Sequence, residues 1–135
     1  MVDCIFCKII NKEIPADIVH ETSNFIVFLD LNPVNQGHCL VVPKHHCLDI
    51  FDIPDELAED MMLMVKRTSA AIQAAVHADG INVGMNNKAA AGQVVLHVHV
   101  HVIPRFKGDG LEDWARKKLS SDVMKETSDS IKKRF

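Results

Sequence analysis

His97-Val98-His99-Val100-His101-Val102-Ile103-Pro104 alternates imidazole with valine three times in succession. A period of two is that of a β-strand, whose successive side chains point to opposite faces. Val98, Val100 and Val102 suit a buried face, because β-branched residues pack well on a pleated surface. His97, His99 and His101 then stand in a row on the other face, with next-but-one side chains roughly 7 Å apart. Each ring has two nitrogens that need partners when buried, so such a row points to metal, phosphate or proton chemistry rather than to packing.

Working outward, a chain of 135 residues fits one domain with a sizeable core. With 47% hydrophobic and 24% charged residues it reads as globular. A formal charge of −3 gives no general attraction to nucleic acid or membrane, so a phosphate-bearing ligand needs a local site. No apolar run approaches the roughly 18 residues that span a bilayer. Met1-Val2-Asp3-Cys4 lacks a basic leader, and the expectation is a cytoplasmic protein. The four cysteines are there expected as thiols or metal ligands rather than disulfides.

Cys4-Ile5-Phe6-Cys7 has the C-x-x-C spacing of a half zinc site or of a redox pair. Two ligands do not close a tetrahedron, so a second pair must come from elsewhere, and the eight histidines are the reservoir. Cys39 and Cys47 read as small buried hydrophobes.

A short helical turn is expected over Lys8–Glu13, stopped by Ile14-Pro15. Ile18–Glu21 and Phe25–Leu29 read as strands joined by a hairpin turn, and His38–Val42 as a third strand ending at Pro43. Pro54-Asp55-Glu56 opens a helix whose stripe of Leu57, Met61, Met64, Val65, Ile72, Ala75 and Val76 runs to a stop at Asp79-Gly80. Ile81–Met85 reads as a strand, and Asn86–Gln93 as a small, flexible loop leading to the histidines. The tail, about residues 121–135, has Val123, Met124, Thr127 and Ile131 at helical spacing, an amphipathic helix for the body or for a second subunit to cover.

His97 to Ile103 fits His-φ-His-φ-His-φ-φ, with φ apolar, and so resembles the signature of the histidine triad (HIT) superfamily of nucleotide hydrolases and transferases. Cys4–Ile10, Phe28-Leu29-Asp30, Gly37-His38 and Val42–His46 are similar to its Hint and Fhit branch, in the zinc-bearing form common in microbes. The resemblance implies an α+β fold in one domain over residues 1–135. It has an antiparallel five-stranded sheet, one long helix and a short N-terminal helix, with the sheet extended across a homodimer. It implies attack on the α-phosphate of a purine nucleotide, an AMP or GMP moiety held in a phosphoramidate or dinucleoside polyphosphate. His99 would be the nucleophile that becomes covalently nucleotidylated. His101 and Gln93 would meet phosphate oxygens, and His38 would support the nucleophile. Asp30 would hold the ribose, Asn86 the phosphate or leaving group, and Gly92 would allow close backbone approach. Cys4, Cys7, His46 and His97 would bind a structural zinc.

One departure stands out. Many relatives carry Ser or Thr two residues after the glycine of the Gly-Gln pair, where this chain has Val94. Valine can neither donate to phosphate nor help protonate a leaving amine. Two other readings remain at this stage: the three histidines as a catalytic zinc site, and a nucleotide-binding regulatory adaptor whose hydrolysis is incidental.

Overall fold

The computed structural model describes residues 3–135; Met1 and Val2, part of the stretch read for a leader, lie outside the described residues. In chain order the elements are α1 (Ile5–Ile10), β1 (Ile18–Glu21), β2 (Phe25–Leu29), β3 (Cys39–Pro43), α2 (Asp55–Val76), β4 (Gly80–Gly84), a short 3-10 turn (Ala89–Ala91), β5 (Val100–Arg105) and α3 (Ser121–Lys132). The five strands form one antiparallel sheet in the order β1-β2-β3-β5-β4. This is the expected α+β fold. No helix among the described residues is long and apolar enough to cross a membrane.

Period-two patterning divides the sheet into two faces. Val27, Cys39, Val41, Val98, Val100 and Val102 pack with Met61, Met64, Val65 and Ile72 of α2. Ile26, Phe28, Leu40 and Val42 pack with Phe6 and Ile9 of α1 on the other side. Leu40 lies directly opposite His101 in the β3–β5 ladder, and opposed residues share a face. The valine–histidine alternation therefore works as read: valines toward α2, His101 toward α1.

The strand itself is shorter than its alternation suggests. Ladder pairing starts at Val100, and His97 to His99 form an irregular lead-in that opens on a bend at His97. Continuing the β3–β5 register would bring Val98 opposite Pro43, and proline has no N–H to give. Val98 N–H donates instead to Cys47 O at 2.8 Å.

Other boundaries move for equally local reasons. Helix α1 begins three residues earlier than Lys8, because burial of Phe6 and Ile9 needs the C-x-x-C stretch on the helix. It ends before Pro15 can act, with Lys12 left-handed (φ 62°) and Glu13 N–H reaching back to Lys8 O. Helix α2 stops at His77, which takes the left-handed cap position at φ 56°, ahead of Asp79-Gly80. Strand β4 is displaced by one residue from Ile81–Met85.

The tail does form a helix, capped by Ser120, whose side chain accepts from Val123 N–H. It does not pack on its own body: every residue from Gly110 to Phe135 is exposed.

Candidate functional site

Helix α1 carries Cys4 at its cap and Cys7 in its first turn, the loop after β3 carries His46, and the lead-in to β5 carries His97. Cys4 Sγ lies 3.4 Å and Cys7 Sγ 3.7 Å from His97 Nδ1. His46 Nδ1 is 3.3 Å from Cys7 Sγ and 3.1 Å from His97 Nδ1. Edges of a tetrahedron with Zn–S and Zn–N bonds of ordinary length are roughly 3.3–3.8 Å, so the four donors stand close to the corners of a closed site. His97 Nε2–H donates to Pro43 O at 2.8 Å, which fixes its tautomer and leaves the Nδ1 lone pair aimed into the cluster. His46 Nε2 is buried with no partner among the described residues, so its ring is placed by the cluster side. Neither cysteine is paired in a disulfide. The donor set fits a structural metal of the zinc type.

His99 lies two residues on, and its environment is set by the same segment. Its Nδ1–H donates to the backbone carbonyl of His97 at 2.6 Å. The ring is 7% exposed, with the edge of Phe6 5.0 Å away centroid to centroid. Nε2 therefore keeps its lone pair, without a protein partner among the described residues. Burial pulls His99 below the usual histidine value, against the opposing effects of the His97 carbonyl and the Asp30 charge.

A different chain of contacts sets His101. The Val34 N–H donates to His38 Nδ1 at 3.0 Å, so a neutral His38 carries its proton on Nε2. That nitrogen is 2.9 Å from His101 Nδ1 and donates to it, which puts the proton of His101 on its own Nε2. Asp30 Oδ2 lies 3.5 Å from His38 Nε2 and 3.8 Å from His101 Nδ1. Burial lowers His101 to about 4, helped by His99 and His38 and opposed by Asp30. His38 is likewise lowered, first by burial. One main-chain N–H thus propagates through two neutral rings.

The outcome is an adjacent pair of unlike groups. His99 offers a lone pair at Nε2 and His101 an N–H donor at Nε2, with ring centroids 5.1 Å apart. A nucleophile beside a donor suits an electrophilic centre bearing charged oxygens. The three histidines do not converge on one metal: His97 faces the cysteines, His99 a carbonyl and His101 another histidine. This overturns the reading of the triad as a catalytic zinc site. Asp30, His38 and His101 cluster as well, but His38 Nε2, which would have to ligate, holds the proton that Val34 assigns to it.

In the loop before the histidines, Gly92 takes a left-handed φ of 89° and its carbonyl receives Asn86 Nδ2 at 3.4 Å. Gln93 is buried and occupied. Its Oε1 accepts from Lys88 N–H at 2.7 Å, and its Nε2 donates to Leu48 O at 2.6 Å and Val95 O at 3.1 Å. Its backbone N–H goes to Lys88 O. Through its side-chain amide Gln93 clamps the loop in this structure. Val94 is 90% exposed and takes no part in the core. Three participants escaped the sequence reading: Phe6 against His99, the Pro43 carbonyl and the Val34 N–H. The last two are main-chain groups and leave no residue-type signal.

The HIT-domain family profile matches residues 11–108. The Saccharomyces cerevisiae adenosine 5'-monophosphoramidase HNT1 is 45% identical over 102 residues, 76% of this chain and 62% of that protein. The Arabidopsis thaliana adenylylsulfatase HINT3 is 40% identical over 123 residues, 91% of this chain and 61% of that protein. A crystal structure of a HIT-family member from Bacillus subtilis superposes with a TM-score of 0.91 at 38% identity, covering 99% of this chain and 98% of that one. A zinc-bound histidine triad family protein from Mycobacterium smegmatis superposes with a TM-score of 0.79 at 35% identity, covering 96% and 97%. Its triad, its sheet order and these relatives agree, and the chain belongs to the HIT-domain family.

Proposed function

We propose that this chain is a nucleotide hydrolase or transferase acting at the α-phosphorus of a purine nucleotide, an AMP or GMP moiety carried as an adenosine phosphoramidate or dinucleoside polyphosphate. The observation that carries the reading is the tautomer pair: a lone pair on His99 Nε2 beside a donor on His101 Nε2. His99 Nε2 attacks phosphorus, an N–P bond forms, and the bond from phosphorus to the leaving group breaks, sulfate or phosphate departing as the anion and an amine taking up a proton from solvent as it departs. His101 Nε2–H donates to a phosphoryl oxygen as negative charge builds there. The proton on His99 Nδ1 is held by the His97 carbonyl throughout, so the ring bears positive charge while nucleotidylated. Water then attacks phosphorus, the N–P bond breaks, and nucleoside monophosphate departs. Splitting one displacement into two lowers each barrier. The yeast and Arabidopsis enzymes, named for phosphoramidate and adenylylsulfate cleavage, support this class of substrate.

Asp30, half-buried at the end of β2, is the proposed ribose ligand, and Asn86 with Gly92 the proposed shelf for phosphate or leaving group. His38 positions His101. Cys4, Cys7, His46 and His97 are the proposed zinc ligands, in keeping with the zinc-bound relative; zinc there would supply a cross-link, with no open position for chemistry. We further propose a homodimer in the cytoplasm, with residues 1–135 acting as one domain.

The test is turnover of an adenosine phosphoramidate and a dinucleoside polyphosphate by wild type and His99→Ala. The variant should lose essentially all turnover and keep nucleotide affinity within about tenfold, or roughly 1.4 kcal/mol. Wild-type protein that binds nucleotide tightly and turns over neither substrate would instead be a regulatory adaptor.

A further inference from the structure

The C-terminal arm is unaccounted for by the site. The 26 residues from Gly110 to Phe135 are all exposed, among them Trp114, Leu119, Val123, Met124, Ile131 and Phe135. Helix α3 has only 12 residues, at the lower limit for a helix that stands alone in water. Its face of Val123, Met124, Thr127 and Ile131 is apolar, while Asp122, Glu126 and Asp129 lie on the other side. Something outside this chain's own body must cover that face.

The arm's bearing is not arbitrary. Arg105 and Asp109 pair at 2.7 Å, and Asn35 Nδ2 donates to Asp109 Oδ2 at 3.2 Å, so the departure point at Gly110 is pinned to the body. The arm is about a fifth of the chain, so the TM-score of 0.91 with the crystallised Bacillus subtilis protein is out of reach unless the arms superpose too. Two different sequences thus hold the arm off their own bodies in the same direction.

A receiving surface exists. An apolar cavity of about 560 Å³ opens between α2 and the β1–β3 side of the sheet, with Val27, Leu29 and Cys39 as its floor and Met64, Ile72 and Val76 along its wall. From Met64 to Val76 the wall runs roughly 18 Å at 1.5 Å per residue, the same length as α3. The ten residues 111–120 extend up to roughly 33 Å, enough to cross between neighbouring subunits.

We propose that the arm is exchanged: the α3 of each chain lays its Val123–Met124–Ile131 face into the cavity beside α2 of a second copy of this chain. The proposal rests on the homodimer put forward above. Amide hydrogen exchange of α3 and sedimentation, measured together on the full-length protein, separate the two. Wild type should sediment as a dimer with α3 amides protected at least tenfold over a free peptide of the same sequence. Ile131→Glu (a spoiled arm) and Ala71→Phe (a filled cavity at an exposed position of α2) should each lose that protection while the β3 and β5 amides stay protected. Mixed in equal amounts after subunit exchange, the two variants should recover protection in about a quarter of the arms, because about half of the dimers are then mixed and in each of these one sound arm meets one open cavity. Docking onto the chain's own body predicts no recovery, since each chain carries one defect. Unprotected α3 in a wild-type dimer, retained protection in Ala71→Phe, or a mixture without recovery would overturn the exchange and leave the dimer standing. A monomer would overturn both.

Discussion

At the scale of single residues, the site depends on which nitrogen of each ring holds the proton. Val34 N–H, His38 and His101 form a line in which the last ring must present an N–H. His101→Ala should therefore lower kcat by about a hundredfold or more, with a much smaller change in KM, because the donor matters most when charge builds on the phosphoryl oxygen. The same line makes stability depend on pH. Burial holds His101 at about 4 in the folded protein, against an ordinary value near 6.5, and lowers His38 in the same direction. Between those values the unfolded chain binds more protons than the folded one. The stability these neutral rings allow is present in full above about pH 6.5 and is lost as pH falls toward 4. Thermal melting should fall from pH 7 to pH 5, and the fall should be smaller in His101→Gln. Little of this was legible in the sequence. Three histidines at period two announce chemistry, but the Val34 amide that decides their tautomers is a main-chain group in a loop.

At the scale of elements, the loop between β4 and β5 and the short helix α1 set the surroundings of the histidines. Gln93 joins Lys88, Leu48 and Val95 by three side-chain hydrogen bonds, so Gln93→Ala should destabilise the protein by about 1–3 kcal/mol in denaturant melts. Val94 follows it with its side chain in solvent, and Val94→Ser can be made without disturbing the core. A leaving amine needs a proton that a leaving phosphate does not. Val94→Ser should therefore raise kcat/KM on an adenosine phosphoramidate about tenfold relative to a dinucleoside polyphosphate, the effect of one well-placed hydrogen bond. An unchanged or reversed ratio, measured side by side with wild type, would detach Val94 from substrate choice. The strands β1 and β2 were readable from the turn formers Thr22-Ser23-Asn24 between two β-prone runs, and α2 from the apolar stripe that it buries against the sheet. Helix α1 was misplaced because its register answers to Phe6 beneath the histidines, a contact far away in sequence. The first residues of β5 were read as strand because alternation survives where ladder pairing has stopped at Pro43.

At the scale of the whole molecule, His97 joins the two halves of the site. Its Nδ1 faces Cys4, Cys7 and His46, its Nε2–H holds Pro43 at the end of β3, and its carbonyl holds His99. The proposed metal would thereby tie α1, the loop after β3 and the lead-in to β5 into one unit. Purified protein should contain about one zinc per chain, and Cys7→Ser should lose both the zinc and thermal stability, as read by metal analysis and melting. The C-x-x-C half of that cluster was visible from spacing, whereas His46 and His97 entered through family resemblance, since only the fold brings them within 4.8 Å of the cysteines. The proposed covalent step has its own direct readout in the intact protein. Wild type mixed with an adenosine phosphoramidate and quenched in base within one turnover should gain the mass of one nucleotidyl group, acid-labile and mapped to His99. An adduct on His101 or on any other residue, or turnover with no adduct at any quench time, would contradict the account.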